Sequence, residues 1–517
     1  MPRATSLPLP LGSRARGKVR QRAVRVSEDS NLLVVASLTL FSKLDKLCGD
    51  GLERLFRDHH RRRLERIGRQ ASLVPSGGEL WAAGDPPPRA GNRLEVLIDG
   101  NQALPRMAEA MCSARSHVHI AGWHVTPDFA LTRDGKAMVL RALLEDLASR
   151  IDVRVLLWAG APLPLFRPSR SDMRAVRDEL AGGTKIRCAL DARERPLHCH
   201  HEKLILIDDR VAFVGGIDLT RLAGDRFDSS EHPARGQLGW HDAAAWAEGP
   251  AVPDIARNFA ERWAEVTRED LPTRAVEEEH GSVDIQVLRT LPERVYRFAP
   301  RGDFRILEAY LRAFRSARKL VYIENQFLWS PEVVAVLADK LRNPPTDEFR
   351  LLVLLPAKPN NGADDTRGQL GVLAEADAEN GRFLACTIYS RTGSRTDPLY
   401  VHAKVAVVDD EWLTIGSANL NEHSLFNDTE VNLATRSPEV ARQTRIRLWA
   451  EHLELPLGEV AGDPARIIDD LWRPIADEQL ARRRRGESPT HRLVQLPGVS
   501  RRSRRLLGPL QGFLVDG

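Results

Sequence analysis

The pattern His-x-Lys, four residues, then Asp occurs twice in this 517-residue chain, and the duplication limits what the chain can fold into. The first copy runs from His201 through Lys203 to Asp208, across Leu204-Ile205-Leu206-Ile207. The second runs from His402 through Lys404 to Asp409, across Val405-Ala406-Val407-Val408. An offset of 201 residues separates the two histidines. A second pair of segments agrees with it. Ala114-Arg115-Ser116-His117-Val118-His119-Ile120 resembles Ala317-Arg318-Lys319-Leu320-Val321-Tyr322-Ile323 at an offset of 203. The chain is therefore an internal repeat of a unit of about 180 residues.

Each copy predicts the same order of elements. A helix leads to a strand (118–123 and 320–325), and a second helix leads to another strand (153–158 and 350–355). A third helical stretch (172–180 and 368–378) precedes the motif strand. A further strand (211–214 and 412–415) and a closing helix (252–266 and 438–453) complete the unit. Alternating helices and Val/Ile/Leu-rich strands give an α/β fold. Two like units pack about a pseudo-twofold axis, as identical subunits do in a dimer. The expected fold is two similar α/β sandwich halves with one shared active site. The expected boundaries are a basic arm and helical region over 1–92, a first half over 93–270, a second half over 271–455, and a basic tail over 456–517.

On a strand, residues two apart share a face. His201 and Lys203 point one way, as do His402 and Lys404. Two imidazoles and two ammoniums at one centre suit an anion, and displacement at a phosphodiester in particular. The lysines bind the non-bridging oxygens and stabilise developing charge. One neutral histidine attacks phosphorus, and the other, protonated, gives its proton to the leaving oxygen. The attacking histidine needs a carboxylate on its other ring nitrogen. Asp242 and Glu430, each downstream of a motif, are the candidates. Asp208 and Asp409 stand at the strand ends, placed to brace the following turn. The lysines supply the charge a metal would otherwise bring, so no metal or other cofactor is expected.

These motifs resemble those of the phospholipase D superfamily, which carries paired His-x-Lys-x4-Asp sequences. The likeness extends to Gly416-Ser417-Ala418-Asn419-Leu420-Asn421 with Asn427-Asp428-Thr429-Glu430. It also covers Trp240-His241-Asp242 with Gly249-Pro250-Ala251-Val252, and Tyr322-Ile323-Glu324-Asn325-Gln326-Phe327. The resemblance spans about residues 93–453, and the segment 492–517 is similar to the tail of bacterial members. It implies a catalytic set of His201, Lys203, Asp208, His402, Lys404 and Asp409. Ser417, Asn419, Glu430 and Asp242 are implied as supporting or phosphate-binding residues. His201 is implied as nucleophile and His402 as acid, with the half that carries Ser417, Asn419 and Glu430 serving the acid and the phosphate oxygens. The implied activity is hydrolysis of the distal phosphodiester of membrane phospholipids to phosphatidic acid, with transfer to alcohols. The alternatives are a phosphatidyltransferase of cardiolipin synthase type and a nuclease of the same superfamily. After the first motif the chain reads Gly215-Gly216-Ile217-Asp218 where the second copy reads Gly416-Ser417-Ala418-Asn419, so the halves are not equivalent.

The remaining features bear on partners. The five cysteines lack any CxxC pair, which favours a reducing compartment. The apolar run 32–41 is too short to span a bilayer. A cytoplasmic monomer that meets phospholipid from the inner face of the membrane, with water or an alcohol as acceptor and without nucleic acid, is the resulting expectation. Residues 43–69 form either an amphipathic helix on anionic lipid, with Arg57, Arg61, Arg62, Arg63 and Arg66 outward, or a helix packed on the main body. Arg482–Arg485 and the cluster Arg501, Arg502, Arg504 and Arg505 are basic, and the latter adjoins Leu506, Leu507, Leu510 and Phe513. Trp123, Trp240, Phe327 and Trp329 are candidates for an acyl-chain entrance or for core. The run His198-Cys199-His200-His201 offers crowded ligands that alternate faces, with no second cluster to complete a zinc cage.

Overall fold

The computed structural model describes residues 49–51, 53–75, 80–133, 135, 137–163, 167–222, 224–272, 279–358 and 363–497. The first half contains β1 (Arg89–Ile98), β2 (His117–Gly122), β3 (Asp152–Trp158), β4 (Arg187–Asp191), β5 (Leu204–Ile207), β6 (Val211–Gly215), β7 (Gly239–His241) and β8 (Ala243–Glu248). The second contains β9 (Val283–Leu291), β10 (Asp303–Phe304), β11 (Leu320–Glu324), β12 (Arg350–Leu354), β13 (Phe383–Thr392), β14 (Arg395–Val401), β15 (Val405–Val408), β16 (Trp412–Gly416) and β17 (Glu430–Thr435). A last strand, β18 (Leu493–Gln495), follows.

The two sheets have the same order. Pairings run β1-β8-β6-β5-β2-β3-β4 in the first half. They run β9-β17-β16-β15-β11-β12-β13 in the second. In each, the three strands after the first helix are parallel and the rest antiparallel. The repeat inferred from the sequence is thus a repeat of topology, and the α/β expectation of two like halves holds.

The motif strands explain why their residues are so apolar. Leu204 and Leu206 enter a core that also holds Val405 and Val407 of the other half. Ile205 and Ile207 face the opposite way, against the helices of the first half. Ala406 and Val408 do the same in the second. A strand buried on both faces needs apolar side chains at every position. The shared core also takes the closing helices Val252–Thr267 and Pro438–Leu453, through Trp263 and Trp449.

Further contacts join the halves across their strand ends. β7 pairs in parallel with β14, and His200 bridges Thr429. The boundary expected at residue 93 falls inside β1, which also meets β9. The helix over 53–66 packs on the second half: Leu64 is fully buried, Arg63 binds Glu293 and Asn427, and His60 stacks on Phe426. Arg63 is therefore not on the solvent face assigned to it, whereas Arg57, Arg61, Arg62 and Arg66 are exposed. Residues 457–497 are not a loose tail. Trp472 packs on Trp449 at 5.6 Å, and β18 extends the second sheet beside β13. Arg482 and Arg485 are paired with Glu478 and Glu487. The basic arm over 1–30, the run 32–41 and the cluster 501–513 lie outside the described residues.

Asp208 and Asp409 have one job in both halves. Asp208 accepts the backbone N–H groups of Arg115, Ser116 and His117 at 2.7–2.9 Å. Asp409 accepts those of Arg318, Lys319 and Leu320 at 2.7–2.8 Å. Both take a left-handed backbone, φ +56° and +55°, to do so. They brace the turn that enters β2 or β11, not the turn that follows them, and they sit roughly 17 Å of strand beyond their lysines. Their place in the implied catalytic set is corrected accordingly. Asp409→Ala removes three charge-assisted bonds and should lower stability by about 2 kcal/mol in urea unfolding. Stability equal to the parent would show that the turn does not depend on it.

Candidate active site

The four motif side chains stand just ahead of β5 and β15, where the two halves meet. His201 donates its backbone N–H to Thr429 of the second half at 3.0 Å. His402 donates its own to His241 of the first half at 2.8 Å. The carboxylates are exchanged in the same sense. His201 Nδ1 lies 3.0 Å from Glu430 Oε1, and His402 Nδ1 lies 2.7 Å from Asp242 Oδ2. Each imidazole is thus oriented by an acid from the opposite half. Both ring Nδ1 atoms are engaged by carboxylates, so any chemistry of the rings falls to Nε2.

The bracing sets differ between the halves. Glu430 accepts hydrogen bonds from Ser417 Oγ at 2.5 Å and from Ser424 Oγ at 2.6 Å. Asp242 has no such hydroxyl, because Gly216 occupies the place matching Ser417. A Cβ on Gly216 would lie 2.1 Å from Asp242 Oδ1. The Gly-for-Ser departure is therefore a steric requirement of the first half's shorter acid. Asp242 is held instead by the backbone N–H of Ala243 at 2.8 Å.

The lysines are folded back on their own motifs. Lys203 Nζ donates to the His201 carbonyl and lies 3.3 Å from Asp218 Oδ2. Lys404 Nζ donates to the His402 carbonyl and to Gln326 Oε1 at 3.3 Å. Asn419, at the place matching Asp218, donates Nδ2 to the same Gln326 oxygen at 3.3 Å. The first lysine therefore faces a carboxylate and the second faces amides. Burial lowers the Lys404 ammonium to about 7, the Lys203 charge adds to that, and Asp242 opposes it. Burial also drives His402 well below its ordinary range, with Lys404, Arg226, Lys203 and His201 acting in the same direction. Burial pushes the carboxyls of Glu430 and Asp242 upward against nearby lysines.

Arg226 was not anticipated. It is buried, 3.4 Å over the ring of Trp240, and its Nε has no hydrogen-bond partner. Trp240 in turn lies 5.1 Å from the His402 ring. Arg226 belongs to a segment between β6 and β7 that has no counterpart in the repeat, so nothing in the duplicated pattern marked it. His124 was also missed. It occupies the place matching Phe327 at the repeat offset of 203, and its Nδ1 meets Thr220 Oγ1 at 2.8 Å.

The histidine run does not converge. His198 faces His423 and Asp428, His200 faces Asp191, and His201 faces Glu430. The four aromatic candidates are buried: Trp123 stacks on Trp158, Phe327 on Trp329, and Trp240 on Tyr400.

A phospholipase D family model matches residues 110–239, and a model described as cardiolipin synthase, PLD-like domain, matches residues 310–450. The chain belongs to the phospholipase D superfamily. Each match falls within one of the two halves, as a fused pair of family domains requires. Phospholipase D alpha 4 of Arabidopsis thaliana is 24% identical over 496 residues, covering 69% of this chain and 64% of that protein. Phospholipase D A of Dictyostelium discoideum is 24% identical over 467 residues, covering 70% and 36%. The chain thus spans less than two thirds of the length of either relative. Among solved structures, phosphatidylserine synthase of Haemophilus influenzae Rd KW20 is 13% identical, with a TM-score of 0.47, covering 72% of this chain and 87% of that one.

Gly216→Ser should push Asp242 off His402 and lower turnover by about a hundredfold while the fold is retained. Unchanged turnover with a native circular dichroism spectrum would refute the steric account.

Proposed function

We propose that this chain is a phosphodiesterase that cleaves the distal phosphodiester of membrane phospholipids through a phosphohistidine, and passes the phosphatidyl group to water or an alcohol. The observation that carries this reading is the exchanged pair of imidazole–carboxylate dyads set among Lys203, Lys404 and Arg226. Relatives named phospholipase D support the lipid class of substrate.

The phosphoryl oxygens are neutralised by Lys203, Lys404 and Arg226, with the amides of Asn419 and Gln326 alongside. His201 Nε2 bonds to phosphorus as the bond to the headgroup oxygen breaks. Its Nδ1–H stays on Glu430, which stabilises the charge the ring acquires. His402 Nε2 gives its proton to the departing oxygen. Water then attacks phosphorus on the opposite side, loses its proton to His402, and releases phosphatidic acid and neutral His201. Glu430 thereby serves the nucleophile, not the acid as its own half suggested.

His402 must carry a proton to act as acid, yet the free site disfavours it because the ring is buried and lies among Lys404, Arg226 and Lys203. The phosphodiester anion reverses that balance, so substrate binding and proton uptake are coupled. No helix among the described residues is long and apolar enough to cross a membrane. The protein on this reading meets lipid from the bilayer surface.

The test is incubation with phosphatidylcholine vesicles and a short primary alcohol in the presence of EDTA. Phosphatidic acid and phosphatidyl alcohol should both form, and His402→Ala should slow both by about 10²–10⁴-fold. Product only in the alcohol channel would make it a transferase; cleavage of nucleic acid alone would overturn the lipid assignment. The pH profile has a defined sign. The Lys404 ammonium is lost as pH rises through about 7, so kcat/KM should fall across neutrality. A value that rises there would contradict the role given to Lys404.

A further inference from the structure

We propose that Asp99, His232, His241 and Glu451 form a closed, tetrahedral site for a divalent zinc-type ion that ties the two halves together behind His402. The assignment rests on geometry alone and stands apart from the choice of substrate.

All four side chains are fully or almost fully buried, and their ligand atoms lie within 4.8 Å of one another. His232 Nε2 is 3.2 Å from Asp99 Oδ2 and 3.0 Å from Glu451 Oε1. His241 Nδ1 is 3.1 Å from Asp99 Oδ1 and 3.1 Å from the same Glu451 oxygen. Zinc bonds of 2.0–2.1 Å in a tetrahedron imply ligand–ligand edges of about 3.3–3.4 Å. The contacts of both histidines to the Glu451 oxygen, and of each to one of the two Asp99 oxygens, are already close to such edges.

The surroundings are those of a metal site. Each histidine has its other nitrogen turned to a carboxylate: His241 Nε2 meets Glu324 Oε2 at 2.8 Å, and His232 Nδ1 faces Asp228 Oδ2 at 3.6 Å. Such outer carboxylates set the tautomer and direct the free nitrogen to the ion. Glu324 is itself held by His452 Nε2 at 2.7 Å. Asp99 Oδ2, in a fully buried residue, makes no well-aligned hydrogen bond, its near neighbour being His232 Nε2 at 3.2 Å. Asp99 also takes a left-handed backbone, φ +61°, at the first position of the helix Asp99–Cys112.

The competing arrangement is a network of ion pairs with protonated imidazoles. Charge does not separate the two, because a dication with neutral His232 and His241 carries the same charge as two protonated rings, and Arg235 lies 3.4 Å from Asp228 in either case; metal content decides between them. Two nitrogen and two carboxylate ligands with no open position describe a structural ion, not a reacting one.

Its place gives it a consequence. The ligands come from the start of the first helix, the segment between β6 and β7, β7 itself, and the closing helix of the second half. Asp99 Oδ1 accepts the backbone N–H of Asp242, and the Asp99 N–H donates to the Asp242 carbonyl at 2.8 Å. Asp242 is the acid on His402. The ion would therefore be a positioning element for one of the two dyads.

The test uses the full chain purified from zinc-supplemented cells without chelator. Elemental analysis should find zinc in a one-to-one ratio, lost in His232→Ala and retained in His198→Ala, whose residue belongs to the separate group His198, His423 and Asp428. Should His232→Ala fail to fold, His232→Cys loaded with cobalt decides. A thiolate-to-cobalt charge-transfer band, absent from the cobalt-loaded parent, is expected. Folded parent protein free of metal, zinc that survives in folded His232→Ala, or a folded His232→Cys without that band would each overturn the proposal.

Discussion

Each catalytic histidine candidate is oriented by a carboxylate from the other half of the chain, and the rest of the structure follows from this exchange. Neither half holds a complete dyad: His201 without Glu430 and His402 without Asp242 would be rings without a fixed tautomer. The exchange requires the ends of β5 and β15 to meet at one point, which the pseudo-twofold arrangement of two identical sheet orders achieves. The backbone repeats the same crossing, His201 to Thr429 and His402 to His241. Separating the halves would leave two buried acids unpaired, and a broken buried pair costs about 3–5 kcal/mol.

The symmetry stops at the side chains, and the departures form a coherent set. Glu430 reaches between Ser417 and Ser424, whereas the shorter Asp242 needs a glycine beside it and takes its support from the backbone. Lys203 faces Asp218, whereas Lys404 faces Gln326 and lies next to Asn419's amide. Excess positive charge is thus concentrated on the His402 side, where Arg226 adds to it. On the proposed mechanism, an anionic phosphodiester there gains most and restores the proton that the acid needs. On that mechanism, the well-neutralised side serves the nucleophile and the charge-rich side serves the leaving group.

Much of this was legible in the residues. The repeat offsets, the apolar Leu204–Ile207 and Val405–Val408 strands, and the His-Lys pairs led directly to two α/β halves and one centre. Asp242 and Glu430 were identifiable as acids, but their crossing was not, because a sequence lists each acid downstream of its own motif and does not show which strand ends face each other. Asp208 and Asp409 appeared with the catalytic set since the motif contains them, although their N–H acceptor role is local to the turn before β2 and β11. Arg226 left no trace, being a lone arginine in a segment without a repeat partner. The same segment supplies His232, so the buried cluster behind His402 was equally invisible to a repeat-based argument. The 457–497 segment looked like a tail because its packing partner, Trp449, is in another element.

Histidine-selective nitrogen NMR tests the exchanged pairing most directly. With the ring resonances assigned by His201→Gln and His402→Gln, Glu430→Gln should displace the Nδ1 signal of His201 and leave that of His402 in place, while Asp242→Asn should do the reverse. Displacement of His402 by Glu430→Gln, with His201 unmoved, would mean that each half braces its own histidine and would contradict the account.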